Sequence, residues 1–181
     1  MDTKRETLLP LATYASVATA ILLVGLKTWA WLASGSVSLL ASLVDSLTDS
    51  LASIVNLFAV RLALRPADDN HPFGHGKAES LSALAQSAFI GGSAVFLLLN
   101  AVERLLHPQP LQQTTLGIAV MLVSLLLTLA LVLFQRWVLR RAQSQAVSAD
   151  SLHYVTDFAS NIVVLVALLL AAWGWPRADA V

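Results

Sequence analysis

Apolar residues run along this chain in long blocks, and polar residues gather in the short stretches between them. A helix needs about 20 apolar residues to cross a hydrocarbon core. Five blocks qualify: 10–32, 37–64, 81–106, 114–137 and 150–173. Within lipid such blocks must be helical, because each backbone N–H and C=O has to be satisfied inside its own segment. The strict alternation of a membrane β-barrel is absent, and the run Met121-Leu-Val-Ser-Leu-Leu-Leu-Thr-Leu-Ala-Leu-Val-Leu is apolar on every face. The pattern therefore predicts an all-α membrane protein, a bundle of five transmembrane helices.

The connectors refine that picture. Ala33-Ser-Gly-Ser36 reads as a tight turn, so the first two helices are expected to be antiparallel neighbours. His107-Pro-Gln-Pro110 and Gly174-Trp-Pro176 should stop the third and fifth helices, since proline cannot continue a helix. The block at 10–32 is too long for the apolar core of a cleavable signal peptide, which runs to roughly 15 residues. Lysine and arginine set the orientation. Lys4, Arg5, Arg61, Arg65, Lys77, Arg136, Arg140 and Arg141 lie on one side, against Arg104 and Arg177 on the other. That side, which includes the N-terminus, is therefore read as cytoplasmic. Trp29, Trp31, Trp137, Trp173 and Trp175 sit at predicted span ends, as an aromatic belt requires.

Composition agrees with the pattern. The 181 residues are 57% hydrophobic and 12% charged. A soluble chain averages about 25% charged. A formal net charge of zero gives no sign of a nucleic-acid partner, and the absence of cysteine excludes thiolate ligands, disulfides and thiol catalysis.

Against this background, Asp45 and Asp49 in the second span and His153 and Asp157 in the fifth stand out. A carboxylate at a helix centre costs about 2.5–3.5 kcal/mol on insertion scales, so the set would cost roughly 8 kcal/mol uncompensated. No arginine or lysine in the adjoining turns is placed to pair with them. Both pairs are spaced i,i+4, which puts each pair on one helix face. Two such faces set opposite each other offer three oxygens and one nitrogen, a ligand set that tetrahedral Zn²⁺ accepts. The donors suit Fe²⁺, Mn²⁺, Co²⁺ and Cd²⁺ as well. The blander reading is that these residues bond helices together or face a wet cavity. Ser42, Ser46, Thr48, Ser53, Ser151, Thr156 and Ser160 flank the pairs, where small hydroxyl residues allow close helix packing and can orient carboxylates.

Three carboxylates with a neutral histidine sum to −3, and a divalent ion leaves −1. An ionised, metal-free set in low dielectric takes up protons. His153, of a type that titrates near neutrality, is the first expected to do so, with Asp49 and Asp157 sharing the proton coupling. Metal and protons then compete for the same ligands, which is the chemistry of exchange. Lys27, near the outer end of the first span, reads as a long stem snorkelling to the interface, and no function is assigned to it.

The second connector reads Pro66-Ala-Asp-Asp-Asn-His-Pro-Phe-Gly-His-Gly-Lys77. Asp68, His71 and His75 could hold zinc with an open position, and Asp69 is an equally good oxygen donor on spacing alone. An ordinary polar turn, relieved by Gly74 and Gly76, fits the same residues. His107 reads as a surface residue.

Taken together, three stretches resemble the cation diffusion facilitator family, and more narrowly its bacterial ferrous-iron, zinc and cadmium efflux branch. They are Gly35-Ser-Val-Ser-Leu-Leu-Ala-Ser-Leu-Val-Asp-Ser-Leu-Thr-Asp-Ser50, Asp68-Asp-Asn-His-Pro-Phe-Gly-His-Gly-Lys-Ala-Glu-Ser80 and Ala149-Asp-Ser-Leu-His-Tyr-Val-Thr-Asp157. Phe134-Gln-Arg-Trp137 and Ser144-Gln-Ala146 also fit. The resemblance implies a transport site of Asp45, Asp49, His153 and Asp157 at mid-membrane, and a second zinc site of Asp68, His71 and His75 in the cytoplasmic loop. It implies Zn²⁺, Fe²⁺ or Cd²⁺ efflux against protons by alternating access, in a homodimer of the bacterial inner membrane, and no enzyme activity. Asp at position 45, where some relatives carry His, goes with tolerance of cadmium. Members of the family have a sixth span and a cytoplasmic domain, so the chain reads as a fragment ending where the sixth helix would begin. Lys77 resembles a dimer-interface residue whose acidic partner lies beyond that helix. Two other readings stay open: an intramembrane aspartyl protease and a membrane metal sensor that does not transport.

Overall fold

A computed structural model describes residues 3–35, 37–106 and 115–172 of the chain. It contains five helices, in order α1 (Thr3–Ser34), α2 (Val37–Ala63), α3 (Lys77–Leu106), α4 (Thr115–Leu139) and α5 (Gln145–Ala172). The number and order match the apolar blocks. The predicted stops at His107-Pro-Gln-Pro110 and Gly174-Trp-Pro176, and the belt residues Trp173 and Trp175, lie outside the described residues, as does Arg177.

On the side read as cytoplasmic, α1, α3, α4 and α5 reach beyond their apolar blocks. α1 begins seven residues before Pro10 and carries that proline inside it. Proline removes one i→i−4 bond, a penalty of about 3 kcal/mol in a helix interior. Packing offsets it: Leu9 and Ala12 are fully buried in a core with Val60, Val138, Ala142, Ala146 and Val147. α5 likewise starts at Gln145, five residues ahead of its block. The Ser144 hydroxyl accepts from the Val147 N–H at 3.2 Å, a helix N-cap. Glu79, from α3, accepts the Gln145 N–H at 3.2 Å and pairs with Arg5 of α1 at 2.9 Å. Hydropathy marks where lipid begins, whereas the helix runs on for as long as caps and packing satisfy it.

At the opposite end, α1 and α2 turn back on each other as expected. Gly35 takes φ of 63° and its N–H bonds to the Trp31 carbonyl at 2.8 Å. That left-handed conformation is the usual helix C-terminal cap, and it disfavours any residue with a Cβ.

α1 packs on α2 and α4, while α5 packs on α3, α4 and α2. The interior is polar to a degree that a soluble core is not. Ser16, Ser46, Ser53, Asn56, Gln86, Gln135, Asp150 and His153 are buried, while Leu51, Phe58, Leu126 and Leu133 are largely exposed. Large apolar side chains outside and polar ones inside are the arrangement that lipid favours. Among the described residues α1, α2 and α4 are long and apolar enough to cross a membrane on composition alone.

Candidate metal centre

α2 presents a polar stripe to the bundle. Ser42, Ser46, Asp49, Ser53 and Asn56 recur at alternating steps of four and three, which keeps them on one face. Ser46, Ser53 and Asn56 are buried and Ser42 and Asp49 partly so. α5 lies opposite, enclosed over its N-terminal half, with Asp150, Ser151, His153 and Tyr154 all buried. Two contacts fix the register between these helices. Tyr154 Oη and Ser53 Oγ lie 2.8 Å apart. His153 Nε2 lies 3.1 Å from Asp49 Oδ1.

The second contact belongs to a cluster. His153 Nε2 is also 3.5 Å from Asp157 Oδ2, and donor atoms of Asp49, His153 and Asp157 all lie within 4.8 Å of one another. Tetrahedral Zn²⁺ with ligands at about 2.0–2.1 Å holds its donors roughly 3.3–3.4 Å apart. The two distances bracket that separation. Asp157 Oδ2 is buried without a hydrogen bond, so this cluster leaves a donor atom open to a cation. Phe89 of α3 stands edge-on to the His153 ring, with centroids 5.4 Å apart, and restricts it from the third side.

Of the four residues expected here, three come together. Asp45 falls at the margin of the α2 stripe, is exposed, and stands outside the cluster. The flanking hydroxyls do not orient the carboxylates through the bonds seen. Thr48, Thr156 and Ser160 bond back to carbonyls of their own helices, and Ser53 goes to Tyr154. Lys27 departs furthest from expectation. Instead of snorkelling, its Nζ donates to the Ser42 carbonyl at 3.1 Å and to Ser46 Oγ at 2.6 Å, on the stripe that carries Asp49.

Sequence reasoning passed over Asp150, which marked only the start of a block. It is fully buried, and three helices converge on it. Ser16 of α1 donates to Oδ2 at 2.6 Å, Gln135 of α4 to Oδ2 at 2.7 Å, and Gln86 of α3 to Oδ1 at 3.2 Å. Both glutamines turn their NH₂ groups to the carboxylate although this leaves each Oε1 buried and unbonded, so the carboxylate dictates their orientation. The signal was available in the sequence: a carboxylate one turn from His153, with no lysine or arginine at helical spacing.

In the second connector, Asp68, His71 and His75 also lie with donor atoms within 4.8 Å of one another. Asp68 Oδ1 accepts the His71 N–H at 2.7 Å and the Asn70 N–H at 3.1 Å, and closes the turn. The same carboxylate reaches His71 Nδ1 at 3.1 Å and His75 Nε2 at 3.4 Å. Gly74, with φ of 77°, lets the chain reverse between the two histidines. Desolvation pushes the Asp68 carboxyl up. The hydrogen bonds from the His71 backbone and ring, with the nearby His71 and His75 rings, outweigh this and hold it below the usual carboxylate range. The turn therefore presents an ionised oxygen between two imidazoles, and the buried His75 Nδ1 has no hydrogen-bond partner. These donors fit a zinc ion with one open position. Asp69, equal to Asp68 on spacing, lies outside the set.

Residues 13–181 match the family profile of the cation efflux transmembrane domain. The chain is 57% identical over 169 residues to the cation-efflux pump FieF of Klebsiella pneumoniae, an alignment covering 93% of this chain and 56% of that protein. The proteins of the same name from Citrobacter koseri and Escherichia coli are each 56% identical over the same length. The chain thus spans a little over half the length of the relatives it matches.

Proposed function

The chain belongs to the cation efflux family, and from that premise we propose that it exports a divalent transition metal from the cytoplasm in exchange for protons. Zn²⁺ is the leading substrate, with Fe²⁺ and Cd²⁺ also accepted. The observation that carries this reading is the Asp49–His153–Asp157 cluster inside a bundle whose exterior is apolar. Asp45, exposed one turn from Asp49, completes the ligand set if α2 rotates slightly.

The exchange follows from one nitrogen. When protonated, His153 Nε2 donates to Asp49 Oδ1. When it has lost that proton, the same lone pair is free to ligate metal. It cannot do both, so loading releases a proton and protonation weakens the site. Asp49 and Asp157 share the coupling because each loses its contact to Nε2 once metal stands between them. Alternating exposure of this set to the two faces makes the exchange vectorial. Relatives named as pumps lend the aspartyl protease and sensor readings no support.

We assign Asp68, His71 and His75 as a second zinc site at the cytoplasmic face, and Lys77, exposed at the start of α3, to the interface of a homodimer in the bacterial inner membrane. In a background lacking the transport site, Asp68→Ala is expected to weaken zinc binding at the loop by well over about tenfold, the scale on which even outer-sphere losses act. Calorimetric titration reads this directly, and unchanged binding would remove the loop assignment.

The exchange itself is tested in proteoliposomes. Zn²⁺ flux is expected to rise when the far side is made acidic and to fall when the pH gradient is reversed. Flux indifferent to the gradient would sink proton exchange while leaving metal transport standing.

A further inference from the structure

Lys27 rests on α1 but is tied to α2, and its position along α2 matters. Ser42, Ser46 and Asp49 lie on one helix face, and three residues of rise separate Ser46 from Asp49 by about 4.5 Å along the axis. The Lys27 ammonium bonds to the first two and so stands one turn on the outer side of the cluster. Asp49, Asp45 and Asp157 all interact with it electrostatically. It forms no direct ion pair with any of them, and is partly buried.

Charge counting shows what a cation there does. Asp45, Asp49 and Asp157 contribute −3, a neutral His153 contributes nothing, and a divalent metal brings the total to −1. One ammonium brings it to zero. A net charge in low dielectric is costly, so a neutral assembly is favoured once metal is loaded. The same ammonium repels the metal, and this limits how tightly the site can hold its cargo. A pump needs that limit, because a site that binds too well does not release. We propose that Lys27 is a charge-setting positioning residue: moored by Ser42 and Ser46 one turn from Asp49, it neutralises the loaded site and holds metal affinity down to a level that permits release. This rests on the transport reading above.

The mooring makes the effect specific. A free lysine stem would swing to the interface and be screened, whereas two hydrogen bonds hold the charge at fixed depth. The experiment combines zinc titration of purified protein in an Asp68→Ala background, which removes the loop site, with initial Zn²⁺ flux in proteoliposomes. Lys27→Gln keeps a donor for Ser46 and removes the charge. It is expected to bind zinc at least about tenfold more tightly, a floor set below the effect of a unit charge about one helix turn from a divalent ion at an effective dielectric near 20, while maximal flux falls. Lys27→Arg keeps the charge and is expected to stay within about twofold of wild type in both. Unchanged or weaker binding by Lys27→Gln overturns the proposal, as does equal loss of flux in both variants without a shift in affinity, which is the result for a mere helix tie. Should Lys27→Gln not fold, Ser46→Ala removes the shorter of the two bonds that moor the ammonium, and metal binding is expected to tighten; unchanged binding again overturns the idea. The parent reading fails separately, through Asp49→Ala: if that variant binds zinc as wild type does in the same background, the site itself is wrong.

Discussion

Asp49→Ala is expected to abolish Zn²⁺ flux, by about 100-fold or more, because it removes a ligand outright where outer-sphere losses alone cost 10–100-fold. Asp49 is the α2 member of the cluster, and His153 Nε2 turns to it more closely than to Asp157, at 3.1 Å against 3.5 Å. Without it, His153 and Asp157 remain as two donors on one helix, and Asp45, one turn away on α2, stands outside the cluster in this arrangement. Vesicles loaded with a zinc-sensitive dye read the result. Asp45→Ala serves as the comparison. Asp45 lies outside the cluster, so its loss is expected to cost less than the loss of Asp49. Equal damage from both would mean that the working site is the four-residue set in an arrangement different from the one described. Full flux in Asp49→Ala would discard the transport site altogether.

The second large effect concerns the fold. Asp150→Ala is expected to destabilise the bundle by about 2–5 kcal/mol, taking each of three bonds within a membrane bundle at roughly 0.6–1.7 kcal/mol. The truncation strands the Ser16 Oγ–H and the NH₂ groups of Gln86 and Gln135, all buried, without their acceptor. Ser16→Ala removes one donor and is expected to cost about 1 kcal/mol. Thermal unfolding in detergent micelles, followed by helix content, separates the two. The order should be wild type above Ser16→Ala above Asp150→Ala, and an Asp150→Ala variant that melts with wild type would show that the convergence of α1, α3 and α4 on this carboxylate contributes nothing.

These two residues show how unevenly the site could be read. Asp49 was legible because a carboxylate in an apolar block is costly wherever the helix points, and its i,i+4 partner made a pattern. The loop cluster was legible for the same local reason, since Asp68, His71 and His75 lie within eight residues. Asp150 was hidden because it stands at the edge of a block, where a charge is unremarkable. Its burial follows only from α5 being enclosed by three other helices. Lys27 was misread in the same way. A lysine near a span end snorkels when its surroundings are lipid, and bonds inward when a neighbouring helix offers a carbonyl and a hydroxyl. The difference lies in how α1 is rotated against α2.

Membrane residence, the number and order of helices, and the chemistry of the candidate ligands were determined by the sequence itself. Transfer of side chains into lipid is close to a sum over residues, and helical periodicity is local, so both can be read one segment at a time. Which ionisable groups meet was decided by the tertiary structure. It brought Asp49 to His153 and left Asp45 at the margin. It buried Asp150 under Ser16, Gln86 and Gln135, and moored Lys27 one turn from the Asp49–His153–Asp157 cluster. Those outcomes depend on the rotation and register of packed helices, which side chains on several helices settle together and no single segment encodes.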